Sequence, residues 1–300
     1  MQAVLSGILG LLIVATVTIS VLRRHWPRRD VTELAARVRS WWIMAAVFTV
    51  ALVLNRAVSL VFFAFVSFLA FKEFLSVVPT RRADRRVLFW AYLAIPVQYL
   101  WIGYEWYGMF IVWIPVYAFL LLPLRMVLVG ETRGFLRAAG VLHWGLMTTV
   151  FSISHVAFLL VLPGDGSGAA LVLYLVVLTQ LNDVAQYVWG RLFGKRRVVP
   201  SVSPNKTVAG FVGGVLSTLA LAWVLGAVLT PLSPAHRLAA GLIIGVGGFV
   251  GDVVISAMKR DLEIKDSGSS IPGHGGVLDR LDSLTYTAPL FFHFVRYFYF

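Results

Sequence analysis

Nearly charge-free runs of apolar residues recur along this chain, many close to the about 20 residues a helix needs to cross the hydrocarbon core of a bilayer. They fall near 2–22, 41–55, 57–74, 87–104, 106–124, 138–162, 168–190, 208–232, 238–258 and 283–299. Composition agrees: 59% of the 300 residues are hydrophobic and 13% charged, against roughly 25% charged in a typical globular domain. Mean hydropathy is +0.84. In water, so few charges could not cover so much apolar surface. The expected fold is all-α, a polytopic integral membrane protein with about ten transmembrane helices. Arg56 separates two short runs, which leaves a tight hairpin or one re-entrant element open. The first run lacks a preceding charge and a small-residue cleavage site, so it reads as a retained helix rather than a signal peptide. The absence of cysteine excludes disulfides, thiolate metal sites and a cysteine nucleophile.

The cations have an address. With ten spans, the connecting segments 23–40, 72–86, 125–137, 191–206 and 259–280 hold nearly all the 26 Lys and Arg residues; the exceptions are Arg56, Arg237 and Arg296. The positive-inside rule then puts those five loops in the cytoplasm and both termini outside. The net charge of +12 is accordingly read as topology and adhesion to anionic lipid, at about 1 kcal/mol per basic residue near the surface. It is not read as a nucleic-acid footprint, and no nucleic-acid partner is expected. Two regions are expected: residues 1–137, N-terminal transmembrane helices with basic cytoplasmic loops, and residues 138–300, a C-terminal transmembrane catalytic region.

The acids are scarcer and more clustered. Asp252, Asp261, Glu263, Asp266, Asp279 and Asp282 fall within thirty-odd positions of a chain that has 14 acids in all. Asp183 and Asp252 sit inside otherwise apolar helices, where a carboxylate is costly unless it faces a partner, an ion or a wet cavity. Both are near the cytoplasmic ends of their spans, which argues for one interfacial site. The alternative is two structural carboxylates paired with Arg191 and Lys259. Gly241 with Gly245, and Gly247 with Gly251, stand at the spacing that lets helices pack closely in lipid.

The segment from Ser256 to Asp282 is dense in chemistry. Lys259, Arg260, Lys265 and Arg280 are cations suited to phosphate oxygens. Asp266, Asp279 and Asp282 are hard oxygen ligands suited to magnesium. Gly273, Gly275 and Gly276 around His274 let backbone N–H groups approach an anion. Phosphoryl or nucleotidyl transfer needs such phosphate clamps beside acidic metal ligands. Upstream, Lys206 follows a Ser203-Pro204 turn and precedes Thr207 at a helix start, a plausible phosphate cradle. GRLFGKR is not a Walker A loop, since it has three residues between its glycines and Arg196 where Ser or Thr is needed. No GxGxxG follows an expected strand.

The stretch from Ser256 to Asp282 resembles the signature of the CDP-diacylglycerol synthase (phosphatidate cytidylyltransferase) family. Ser256, Lys259, Arg260, Lys265, Asp266, Pro272, His274, Gly275, Gly276, Asp279, Arg280 and Asp282 fall at its spacing, S-x-x-K-R, four residues, K-D, then P-x-H-G-G-x-x-D-R-x-D. Upstream, Asn182-Asp183, Ala185, Tyr187, Gly190, Ser203-Pro204 and Lys206-Thr207 resemble the family too, so the likeness spans about residues 180–290. The resemblance implies an inner-membrane enzyme, with its site facing the cytoplasm, that makes CDP-diacylglycerol and pyrophosphate from CTP and phosphatidate. It implies Mg2+ and leaves room for a second ion. It also implies Asp252 and Asp279 as leading metal ligands, with Asp183 and Asp282 supporting the metal or substrate. Lys206, Lys259, Arg260 and Lys265 would hold phosphates, and Ser203 and His274 would line the site, His274 as a phosphate donor rather than a base. Thr207, Ser256, Arg280 and Asp266 complete the expected set. Membrane lipids are the surroundings, and a homodimer stays open. Val208-Ala209-Gly210 departs from the family's K-T-x-E-G, Asn205 from its common glycine, and Gln186 adds a polar group. These departures bear on substrate preference rather than reaction class.

A paralogue acting on another lipid or polyprenyl phosphate would share all these residues. A transporter would also have many spans and buried carboxylates, but should show internal repeats and paired interrupted helices at mid-membrane. No repeat is visible, and the chemistry gathers on one side.

Overall fold

Within a bilayer every backbone polar group must be satisfied inside the protein, and a helix does this within one segment. The apolar runs accordingly become helices. The computed structural model describes residues 1–25, 31–162, 167–273 and 275–300; Arg28, Arg29 and His274 lie outside the described residues. The helices are α1 (Gln2–His25), α2 (Thr32–Leu54), α3 (Arg56–Val77), α4 (Arg85–Gly103), α5 (Tyr107–Val127), α6 (Phe135–Leu159), α7 (Gly168–Phe193), α8 (Val208–Leu229), α9 (Pro234–Asp261), the short α10 (Leu278–Leu281) and α11 (Leu284–Tyr299). Apart from α10 they correspond one for one to the ten apolar runs. The chain is a polytopic membrane protein, with eight of these helices long and apolar enough to span by length and composition. The exceptions are α4, which opens on Arg85-Arg86 and contains Pro96, and α11, which has 16 residues.

Arg56 marks a hairpin. Asn55 leaves the helical region (φ −168°) and its side chain accepts from Val58 N at 2.9 Å, so α2 ends and a capped α3 begins. The α2 helix starts well before its apolar run, because Thr32–Arg39 continues the helix beyond the hydrocarbon, with Arg37 paired to Glu33 one turn away at 2.5 Å. Likewise α3 runs on to Val77, which places Lys72 and Glu73 on a helix rather than in the loop expected from residue 72. In α5 the helix widens over residues 113–118 around Pro115, whose missing N–H breaks the regular ladder.

The α8 helix packs against both α7 and α9, while α11 packs on α9 and α6. Glycine makes the α8–α9 approach possible. A Cβ on Gly241 would meet Ala222 Cβ at 2.7 Å, and one on Gly251 would meet Asp282 O at 2.6 Å. The sequence's close-packing reading of these glycines thus holds on both faces of α9. Phe71, Phe74, Phe110, Tyr174, Phe291 and Phe292 fill the interior.

Hydrogen bonds sort the loops into two ends. At one end Arg81 donates to the carbonyls of Glu131 and Arg133, Arg260 to Val202 O, and Ser40 to Pro272 O, so the basic loops meet one another. At the other end Arg56 reaches Glu105 at 2.6 Å, and Tyr299 Oη bonds Ser233 N and His236.

Candidate functional site

Four helices and two loops converge at the basic end. On α7, Asn182, Asp183 and Gln186 face the neighbours rather than lipid. Asn182 is fully buried and ties three helices together, accepting from Thr218 Oγ1 (3.0 Å) on α8 and donating to Gly245 O (3.3 Å) on α9. Asp183 accepts from Ser283 Oγ, 3.0 Å from each carboxylate oxygen. Gln186 Oε1 accepts from Lys206 Nζ at 3.2 Å.

Lys206 is delivered by a folded-back loop. Val198 N donates to Lys206 O (3.0 Å) and Val208 N to Arg196 O (2.9 Å), while Ser203 N donates to Val199 O (2.9 Å). Thr207 then caps α8, accepting Gly210 N at 3.1 Å. Its hydroxyl is therefore committed to the helix start, and Gly190 and Gly194 pack close around it. The Lys206 ammonium forms an ion pair with Asp252 and lies 5.6 Å from the Phe249 ring centroid.

Asp252, Ser256 and Lys259 lie at i, i+4 and i+7 on α9, hence on one face. Ser256 Oγ donates to Asp252 Oδ1 (3.1 Å), and Lys259 Nζ donates to Asp279 Oδ1 (2.8 Å). Asp252 thus pairs with Lys206, and Asp183 bonds Ser283. Neither shows the Arg191 or Lys259 ion pair that the purely structural alternative required. Asp279 Oδ2 accepts the backbone N–H groups of Ser267 and Gly276, both at 2.9 Å. Burial raises the Asp279 carboxyl, but the Lys259 hydrogen bond, these N–H groups and the Lys259 charge outweigh it and hold it below the ordinary range. Gly275 adopts φ +80°, and a Cβ there would meet Asp279 Oδ2 at 2.7 Å, so the close turn requires glycine.

Asp282 follows on the turn into α11. Burial raises its carboxyl well above the usual range, and the nearby Asp252 and Asp183 charges raise it further, against the opposing pull of Lys259 and Ser283 N. Three carboxylates therefore act on one another at one spot. Beside them the buried Arg280 Nε has no partner among the described residues.

The expected residues separate by what they touch. Asp183, Lys206, Asp252, Ser256, Lys259, Asp279, Arg280 and Asp282 come together. Arg260 cross-links backbone, donating to Val202 O (3.2 Å) and Ile264 O (3.0 Å). Lys265 and Asp266 are exposed at the rim, and Ser203 sits half-buried in the Lys206 loop. Asp252 and Asp279, read together as leading metal ligands, belong to separate networks, and both oxygens of Asp279 are already engaged. Among the described residues no three His, Asp or Glu side chains form a ready-made metal cage.

One residue escaped the sequence reading. Glu73 on α3 is buried, and its carboxylate accepts Leu278 N (2.7 Å), Ser267 Oγ (3.2 Å) and Ser270 Oγ (3.1 Å). A Cβ on Gly268 or Gly276 would overlap that carboxylate. Glu73 thus holds the loop that holds Asp279. Its signal was a carboxylate within FLAFKEFLSV, an apolar stretch, hidden because Lys72 beside it looked like the start of a basic loop.

A family model described as Cytidylyltransferase family matches residues 35–298, which include all these groups. The chain is 45% identical over 295 residues, 98% of its length and 97% of the relative's, to Uncharacterized protein YnbB of Escherichia coli (strain K12). It is 34% identical over 213 residues, 71% of its length and 77% of the relative's, to a phosphatidate cytidylyltransferase of Bacillus subtilis (strain 168). Against a phosphatidate cytidylyltransferase of Staphylococcus haemolyticus (strain JCSC1435) the identity is 36% over 154 residues, covering 49% of this chain and 59% of that one.

Proposed function

We propose, from the premise that this chain belongs to the cytidylyltransferase family, that it transfers the cytidylyl group of CTP to phosphatidate, giving CDP-diacylglycerol and pyrophosphate. The observation that carries the proposal is the meeting of Lys206, Lys259 and Arg280, whose Nε has no partner among the described residues, with Asp183, Asp252 and Asp282 at the end of the helices where the basic loops gather. By the positive-inside rule that end faces the cytoplasm, where water-borne CTP meets a lipid phosphate.

A phosphatidate oxygen is already anionic and attacks the α-phosphorus of CTP without a strong base. One P–O bond forms there while the bond to the β-phosphate's bridging oxygen breaks, and pyrophosphate leaves with that electron pair. The protein's work is alignment and charge neutralisation. Lys206 is the residue set to exchange partners, leaving Asp252 for a phosphate oxygen. Arg280 offers its free N–H to the same group, and exposed Lys265 meets the departing phosphates at the rim. Asp279 keeps Lys259 and the glycine turn in place.

The donor set fits a divalent cation shared with substrate, since magnesium is usually held by one or two carboxylates plus phosphate oxygens rather than by a closed protein cage. Asp183, Asp252 and Asp282 would hold it. They are preferred to the Asp252–Asp279 pair because Asp279 is held by Lys259 and two backbone N–H groups of its own turn, whereas Asp252 is held by side chains alone, Lys206 and Ser256. When bound, Mg2+ would offset the triphosphate's charge and polarise the reacting phosphorus.

Ala209, half-buried on the first turn of α8 at the position of the glutamate in the K-T-x-E-G pattern, supports a second reading in which another lipid phosphate is the acceptor. Purified protein in detergent with Mg2+, CTP and a panel of lipid phosphates separates the two. Pyrophosphate release with phosphatidate supports the first reading, and release only with another acceptor supports the second. No release with any of them refutes the assignment.

A further inference from the structure

A second cluster of cations lies away from the reaction site. The turn between α3 and α4 and the end of α5 enclose a cleft of about 490 Å³ lined by Arg82, Arg85, Arg86, Arg125, Leu128 and Val129. None of the residues assigned above to CTP or the cation lines it. Its arginines are uncompensated: among the described residues none of the four forms an ion pair. The nearby acids are engaged elsewhere. Asp84 takes both its bonds from Arg81 (2.6 and 2.8 Å), and Glu131 accepts the backbone N–H of Arg133 (2.8 Å).

Arg125 is held ready. Its guanidinium lies over Trp90, 5.4 Å from the ring centroid, and its buried Nε has no partner among the described residues. A buried donor left unpaired is costly, so the site asks for an acceptor. Four guanidinium groups around one cleft call for a phosphate, which arginine binds with paired N–H donors.

The helix faces below the cleft say what carries that phosphate. Along α4, Phe89 and Leu93 follow Arg85 and Arg86 at one-turn spacing and are exposed. Along α5, exposed Leu121 precedes Arg125 by one turn, and exposed Leu124 precedes the lining residue Leu128 by one turn. A polar cleft at the membrane boundary thus continues into two apolar stripes facing the lipid. We infer that this cleft is a binding site for the headgroup of an anionic glycerophospholipid, separate from the reaction site, with the phosphate among Arg82, Arg85, Arg86 and Arg125 and the acyl chains along α4 and α5. The inference rests on this cleft alone and does not depend on the reaction proposed above.

The test is native mass spectrometry of the delipidated full chain in detergent, titrated with phosphatidylglycerol or phosphatidylcholine. The wild type should retain one phosphatidylglycerol with a preference of about tenfold or more over phosphatidylcholine. R86Q/R125Q should lose that preference. V129E, which places a carboxylate at an exposed lining position without disturbing the Arg125–Trp90 stack, should lose it too, and serves if the double variant fails to fold. R23Q/R24Q removes the same charge from the end of α1 and should keep it. Equal loss in R23Q/R24Q would mean diffuse adhesion and overturn the inference, as would unchanged binding in V129E. Displacement of the lipid by millimolar glycerol 3-phosphate would mean a site for free phosphate esters and overturn the lipid assignment; failure to displace supports it.

Discussion

Removing Glu73 is the perturbation that best tests how the site is held. Its carboxylate accepts three hydrogen bonds from the loop and from α10, the shortest being Leu278 N at 2.7 Å. At roughly 1–1.5 kcal/mol net for each, Glu73→Ala should cost about 3–4.5 kcal/mol of loop anchoring, with Leu278 N–H left buried and unpaired. If that energy appears in the alignment of Lys259 and Asp279, turnover falls by about two to three orders of magnitude, at roughly 1.4 kcal/mol per factor of ten. Hydrogen exchange over residues 262–277 should rise in parallel, a readout independent of activity. The second half of the test uses Gly276, where an added Cβ would overlap the Glu73 carboxylate. Gly276→Ala should therefore damage the wild type but cost little more in the Glu73→Ala background, a non-additivity that a double-mutant cycle measures directly. Wild-type exchange rates in Glu73→Ala, or an equal cost of Gly276→Ala in both backgrounds, would mean that Glu73 does not anchor the loop.

Other outcomes follow from the same geometry. Asp279→Asn should lower turnover by about a hundredfold or more while the protein stays folded in a detergent melt, since it weakens the bond from Lys259 and its charge. Because the folded Asp279 carboxyl sits below its unfolded value of 3.8, the stability it contributes is present above that pH and lost as pH falls through the depressed folded value. Melts of the wild type and Asp279→Asn should therefore converge in acid and separate towards neutrality. Asp282 works in the opposite sense, because its raised carboxyl makes the charged form unfavourable in the fold. Asp282→Asn should raise the cation-free melting temperature at pH 7 while abolishing turnover; a lowered melting temperature would contradict this. Thr207→Ala should cost about 1 kcal/mol through loss of the α8 cap, and Thr207→Ser should restore it. The chain has no cysteine, so Asn205→Cys and Ser269→Cys should label with an impermeant thiol reagent only when the cytoplasmic face is open, and Glu105→Cys only from outside.

Much of this protein was legible because a bilayer leaves few choices. The ten apolar runs became ten long helices, and Asp183 and Asp252 stood out because a carboxylate in an apolar helix must face something. Helix ends were less legible, since hydropathy marks hydrocarbon rather than helix: α2 starts nine residues before its run, and α3 runs on to Val77, past the end of its own. What a polar side chain touches was least legible. Lys259 and Arg260 are adjacent cations, yet one grips Asp279 and the other backbone carbonyls. Thr207 reads as a phosphate contact and serves as a helix cap. Asp279 reads as a metal ligand, but its oxygens are engaged by a lysine and two N–H groups. Those distinctions arise only when separate loops are brought together.

The central claim is cytidylyl transfer, and the position of the label in CTP tests it most directly. Purified protein with Mg2+ and phosphatidate would receive CTP labelled either at the α- or at the γ-phosphorus. Cytidylyl transfer puts α-label in the lipid fraction and releases γ-label as pyrophosphate, in equal amounts. Label from the γ-position in lipid would mean phosphoryl transfer, and no label in lipid from either position would mean no transfer at all; either result contradicts the account.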